Sequence, residues 1–218
     1  MLATFGIEIA LAIYTFVRYK MSTTVRLAIT MLVFLGIFQL AEYNVCGHAN
    51  TWAIVWSRIG YVAITMLPPL GLHLIHSIAK RKINVTVWIA YATGILFAAT
   101  FGLSSTAFAS HVCAGNYAIF QLTRPVGGLY FFYYYAWLFI GVCYALFYSI
   151  GAKKHIQEAL VLQVFGYLSF LLPTGVVNSV NPQTIAGIPS VMCGFAVIYA
   201  IILAVGILPR AVPLKKAH

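Results

Sequence analysis

The sequence predicts an all-α polytopic membrane protein, a single bundle of seven transmembrane helices with its N-terminus outside and its C-terminus inside. Three observations carry that prediction. The 218 residues are 62% hydrophobic and only 7% charged, a composition suited to a lipid-embedded chain. The apolar residues fall in long unbroken runs, not in ten-residue alternating segments, which selects helices over a closed barrel as the means of satisfying backbone polar groups in hydrocarbon. The cations sort to alternate connections between those runs.

Cutting the chain at its polar and turn-forming clusters leaves seven runs near the length of about 20 residues that a bilayer core requires. The first, 3 to 19, reads as a retained helix and not a secretory signal, because no cation precedes it and Arg18 and Lys20 follow it. The second, 24 to 44, closes on "FQLAEY". The third, 52 to 79, carries Pro68 and Pro69 at its middle and ends at the triplet Lys80, Arg81, Lys82. The fourth is 85 to 103. The fifth, 129 to 151, opens on "LYFFYYYAW", where Tyr and Trp suit the headgroup interface or stack on a chromophore, quinone or partner helix. The sixth, 157 to 180, contains Gln163, Pro173 and Asn178. The seventh, 187 to 208, has no lysine, which excludes a retinal Schiff base. Kinks are expected at Pro68, Pro69 and Pro173, since each proline removes an intrahelical donor, and kinked helices make room for a cavity.

Arg18, Lys20 and Arg26 surround the first connection, Lys80, Arg81 and Lys82 the third, Lys153 and Lys154 the fifth, and Arg210, Lys215 and Lys216 the tail. Eleven of the thirteen Lys and Arg residues thus share one side, which the positive-inside rule assigns to the cytoplasm. The formal charge of +10 is a topology signal and a contact for anionic lipid, and it leaves no dedicated surface for nucleic acid.

The chain has three acids, Glu8, Glu42 and Glu158. Glu8, Glu42 and Arg58 fall within or beside apolar runs, where an ionisable group costs roughly 2.5 to 3.5 kcal/mol on the insertion scale and normally faces the bundle interior and pairs. Helix rise puts Glu8, Gln39, Glu42 and Arg58 at one depth in the outer third, with Tyr134, Asn178 and Asn181 as neighbours. The cluster reads either as an outer pocket for a small polar or amphipathic ligand or as a buried ion pair that fixes helix packing.

"CGH" at Cys46 to His48 and "HVC" at His111 to Cys113 fall in predicted outer loops. In oxidising surroundings a Cys46 to Cys113 disulfide is the leading expectation. A site of Cys46, His48, His111 and Cys113 has suitable ligand types for zinc, but the one-residue spacings are unusual for it. "GLHLIHSIAKRK", residues 71 to 82, sets His73 and His76 on one helical face at the inner end of the third run. They read as interfacial or packing groups, with a proton-carrying or quinone-contacting role as the alternative. No Gly-rich nucleotide loop, HExxH or GxSxG is present; no enzymatic activity and no cofactor are expected.

Three stretches, "FQLAEY", "WSRIGYVAITMLPPLGLHLIHSIAKRK" and "LPTGVVNSV…IPSVMCGFAVIYAIILAVGILPR", resemble the seven-helix sensor region at the N-terminus of some bacterial and archaeal histidine kinases. A looser similarity is to small membrane families with Gln-x-x-Glu on the second helix. The kinase resemblance implies an outward-facing sensory bundle in the cytoplasmic membrane of a prokaryote. It departs from that family in lacking a phosphoacceptor helix and an ATP-binding domain after Arg210, so the output is expected from a separate signalling protein. The leading expectation is a sensor-like binding module in which Glu42 and Arg58 line an outer pocket. The alternative is an accessory subunit of a larger respiratory, photosynthetic or oxygenase-type membrane complex; a small transporter ranks third, for want of an inverted repeat.

Overall fold

The structure, a computed structural model, describes residues 1–47, 52–104, 107–114 and 117–214. Nine α-helical segments and one β-hairpin are described. They are α1 (Leu2–Arg18), α2 (Thr23–Gly47), α3 (Ala53–Thr65), α4 (Leu67–Ile78), α5 (Val85–Leu103), the hairpin β1 (Phe108–Ala114) and β2 (Tyr117–Leu122), α6 (Arg124–Ser149), α7 (Lys154–Val180), α8 (Ile188–Ile201) and α9 (Leu208–Ala211). A 3-10 turn, Pro182–Gly187, leads into α8, and a π-helical segment, Ile202–Ile207, joins α8 to α9. Six helical rods are long and apolar enough to cross a membrane, α3 with α4 and α8 with α9 each counting as one. The expected first span is the exception, because α1 has 17 residues.

The centre of the bundle is α2, which packs against α1, α3, α4 and α8. Both it and the α3–α4 rod are mostly buried, while α5 buries little beyond Val87, Ala90, Gly94 and Phe101. Close approach comes from small residues facing large ones, as membrane helices require. A Cβ on Gly166 would lie 2.5 Å from the Tyr199 ring, and one on Gly71 would meet the Tyr167 hydroxyl. Tyr199, so placed, accepts a 2.7 Å hydrogen bond from Gln163 Nε2.

The proline pair breaks the third rod at Met66, as expected of two consecutive residues without N–H groups. Pro69 cannot bond back to the Thr65 carbonyl, and Tyr133 of α6 takes its place, its hydroxyl donating to Thr65 O at 2.7 Å. Thr65 Oγ1 in turn donates to the Tyr130 hydroxyl at 3.2 Å. α7 continues through Pro173, where a kink is expected, since one missing bond does not end a helix held on both sides by neighbours.

The long connection after α5, expected as an irregular loop, contains the antiparallel hairpin, with Cys113 opposite Ala118. The disulfide joins Cys46, in the last turn of α2, to Cys113 of β1, with a Cα–Cα distance of 5.6 Å across 67 residues of chain. Ala118 N–H donates to Ser190 Oγ of α8 at 3.1 Å. Phe108 and Phe120 pack their rings on Tyr61 at 5.2 and 5.4 Å. The hairpin therefore caps one end of the bundle.

The other end is basic. Tyr19, fully buried, donates to Ala204 O at 3.0 Å, Lys20 N–H reaches Pro213 O at 3.4 Å, and Arg210 pairs with Glu158 at 3.1 Å. His76, also fully buried, donates from Nδ1 to Leu72 O at 2.9 Å, which leaves Nε2 to accept from the Tyr148 hydroxyl at 3.1 Å. His73 Nδ1 meets the Tyr91 hydroxyl at 3.0 Å. Both histidines are thus helix-to-helix ties.

Two outcomes follow. Tyr133→Phe, which leaves the Thr65 carbonyl unpaired, lowers unfolding stability in detergent by about 1–3 kcal/mol. Reduction of the intact protein raises its mass by two hydrogen atoms, and the Cys46→Ser/Cys113→Ser variant unfolds at lower denaturant, with a loss of up to roughly 4 kcal/mol for a loop of this length.

Candidate functional site

The polar cluster sits where α1, α2 and α8 meet. Glu8 is completely buried, and neither carboxyl oxygen has a hydrogen-bond partner among the described residues. Glu42, one α2 turn beyond Gln39, is buried with Oε1 unpartnered, and the Ser190 side chain of α8 lies beside its carboxyl group. Gln39 Oε1 accepts from Thr4 Oγ1 at 2.9 Å, while its Nε2 has no partner among the described residues. Glu8, Gln39 and Glu42 are therefore brought together.

Arg58 does not join them. No carboxylate lies within 4 Å of it among the described residues, and the ion pair found there is the exposed Arg210–Glu158 contact at the opposite end. Arg58 shares a shallow depression with Phe34, Ile37, Val55, Ile59, Val62, Ala63 and Gly102. The reason is helical phase. α3 turns Ala53, Ser57, Gly60, Tyr61 and Ile64 inward, so Arg58, one residue past Ser57, is rotated by about 100° from it and sits half-buried at the side of the seam, its Nε enclosed without a partner among the described residues. Depth fixed the level of the arginine but not its azimuth.

Asn178 is also elsewhere, its Oδ1 accepting from Thr184 Oγ1 at 2.7 Å to pin the 3-10 turn onto the end of α7. Asn181 caps that turn by accepting from Gln183 N–H. Tyr134 is buried in the site, but on its aromatic side. Cys46 and Cys113 are consumed by the disulfide and offer no thiolate to a metal. His48 lies outside the described residues, and of His111 only the backbone in β1 is described.

Next to the polar cluster is a cavity of about 410 Å³, roofed by β2 and walled by α3, α6 and α8. Its surface is mostly aromatic and aliphatic: Tyr61, Phe120, Tyr130, Phe131, Tyr134 and Tyr135 face Ile64, Ile188 and Met192. Tyr134 and Met192 also line a void of about 30 Å³ behind it, which reaches Cys193 and Tyr199. Tyr61 bridges the two regions, its ring in the cavity wall and its hydroxyl within electrostatic reach of Glu42 and Cys193. Volume and lining match a site for one small, largely apolar molecule, oriented by few polar groups.

The block at 129–137 is thus split by helical period. Tyr130, Tyr133 and Tyr134 turn inward, while Phe131 and Phe132 remain 51% and 73% exposed. Phe132 fits the interfacial belt, Phe131 borders the cavity at its open side, and the inward rings build the rest of the cavity wall and the proline-break contact. Ser190 and Cys193, unmarked in the sequence reading, belong to the site through their i, i+3 spacing on α8. Phe120 could be placed only by the hairpin.

The absence of an Arg58–Glu42 pair has a direct test. Arg58→Ala changes stability by less than about 1 kcal/mol, Glu42→Leu changes it more, and a double-mutant cycle gives no coupling beyond the roughly 0.3–0.5 kcal/mol expected of independent sites. Comparison of the chain with protein-family models, curated proteins and solved structures finds no match to any of them.

Proposed function

We propose that this chain is a sensor-like membrane binding module that takes up a small, predominantly apolar or amphipathic molecule at its hairpin end. The observation that carries the reading is the aromatic cavity beneath β2, set against the buried Glu8–Gln39–Glu42 cluster. Its walls come from three separate helices. A molecule bound there touches α3 just above the proline break, and Tyr130 connects the cavity to Thr65 at that break. A ligand that favours one arrangement of the α3–α4 joint over another would shift the joint's population and, through α4, the His76–Tyr148 contact at the basic end.

In this reading the basic end faces the cytoplasm and the N-terminus lies outside, in keeping with the distribution of Lys and Arg. α1 then crosses as a seventh, short rod of about 26 Å, at the lower limit of spanning length. The similarity of "FQLAEY" and the proline-bearing third run to histidine-kinase sensor regions is consistent with a sensing role.

The test is ligand-dependent stabilisation of the purified protein in detergent, screened against small apolar and amphipathic molecules. A true ligand at a hundred times its Kd raises stability by about 2.7 kcal/mol. Ile188→Trp, which fills the cavity, abolishes the shift while leaving the unliganded protein folded. A shift that survives Ile188→Trp defeats the assignment to this cavity. Recovery of the protein only in a fixed-stoichiometry assembly, with no ligand response, replaces the reading by that of an accessory subunit.

A further inference from the structure

At the basic end, about 420 Å³ of open space lies between the α4–α5 and α6–α7 connections. Lys80, Arg81, Lys153 and His155 all line it, with Tyr148 and Gly151. We propose that this groove is a phosphate-binding site, taking a phosphate monoester or diester carried by a lipid headgroup or by a soluble molecule. It is independent of the cavity at the hairpin end.

The groove is built, not a scatter of surface charge. Each connection turns on a residue in the left-handed region, Lys80 at φ 54° and Gly151 at φ 72°, which folds both short loops back over the same space. Lys80 is held there by its N–H bond to Ser77 O at 3.2 Å, and Arg81 by its N–H bond to His76 O at 2.9 Å. The Arg81 guanidinium lies 5.8 Å over the Tyr148 ring, a cation–π contact, and that ring is itself fixed by its hydroxyl bond to the buried His76. Arg81 thus presents its planar N–H donors from a set position, the geometry that suits phosphate oxygens.

The third side is the start of α7. Its cap residue, Lys153, makes no side-chain capping bond, and Ile156 and Gln157 N–H groups are both taken by Lys153 O. With those two N–H groups occupied, the helix N-terminus contributes the partial positive charge of its macrodipole to the side-chain cations facing the groove. No carboxylate lines it. Of the three acids, Glu8 and Glu42 are buried in the other cluster and Glu158 is engaged by Arg210. Apolar Ile150 and Ile156 complete the lining, which fits a headgroup with its acyl chains alongside.

The full-length protein, delipidated in detergent, is presented with phosphatidic acid in native mass spectrometry and, separately, with inorganic phosphate in a thermal-shift titration. Retention of phosphatidic acid over phosphatidylcholine identifies a lipid source, and stabilisation by inorganic phosphate alone identifies a soluble one. In either case Lys153→Gln and Lys80→Gly weaken binding by about tenfold each, and the second keeps the turn because glycine favours that backbone conformation. Lys82→Gln, in the same loop but outside the groove, binds as the wild type does. Binding of neither probe overturns the proposal, and so does equal weakening by Lys82→Gln, which would mark diffuse attraction by the whole basic end.

Discussion

A carbonyl without its helical donor, placed at membrane depth, must find another one. At the Pro68–Pro69 step that carbonyl belongs to Thr65, and the Tyr133 hydroxyl supplies the donor from α6. Much of the site follows from this contact. It fixes the rotation of α6, which in turn sets Tyr130 and Tyr134 inward, against Tyr61 and the α3–α4 joint. The proline pair opens the third rod, and the tyrosines that repair its backbone also furnish the wall of the cavity.

The two ends of the bundle are organised by different physics. At the hairpin end a covalent link and an aromatic cluster hold the roof: Cys46–Cys113 ties β1 to α2, and Tyr61 gathers Phe101, Phe108, Phe120 and Tyr130 with ring centroids 5.0 to 5.7 Å apart. At the basic end no disulfide is described. There the C-terminal segment is held by the Tyr19 bond to Ala204 O, inside the π-helical stretch, and by the Arg210–Glu158 pair. The exposed pair contributes little, of order 0–1 kcal/mol. The buried tyrosine bond matters more, because an unsatisfied carbonyl there has no water to turn to.

The buried acids gain meaning from the correction to Arg58. Without a guanidinium beside them, Glu8 and Glu42 sit among Gln39, Ser190 and Cys193 with several polar atoms unmatched among the described residues. Buried polar atoms without partners are rare enough to require an explanation. They lie behind Tyr61, whose ring faces the cavity, and no guanidinium pairs with them among the described residues.

Much of this was legible in the primary structure. Six long apolar rods followed from apolar run length, the break at Pro68–Pro69 from two missing donors, the disulfide from cysteine placement, and the meeting of Glu8 with Gln39 and Glu42 from a rise of about 1.5 Å per residue. Those are one-dimensional quantities, and the chain carries them directly. What only the tertiary structure decided is angular and pairwise: that Arg58 sits half-buried beside the seam, away from the carboxylates, while Ser57 and Tyr61 turn in, that Asn178 braces the α7 turn, that residues 108–122 pair as a hairpin, and that Tyr133 of α6 completes a hydrogen bond for α3. The physical reason is that depth accumulates residue by residue along a helix, whereas azimuth and partner choice depend on which neighbouring rod packs against each face, and no single run of residues contains its neighbour.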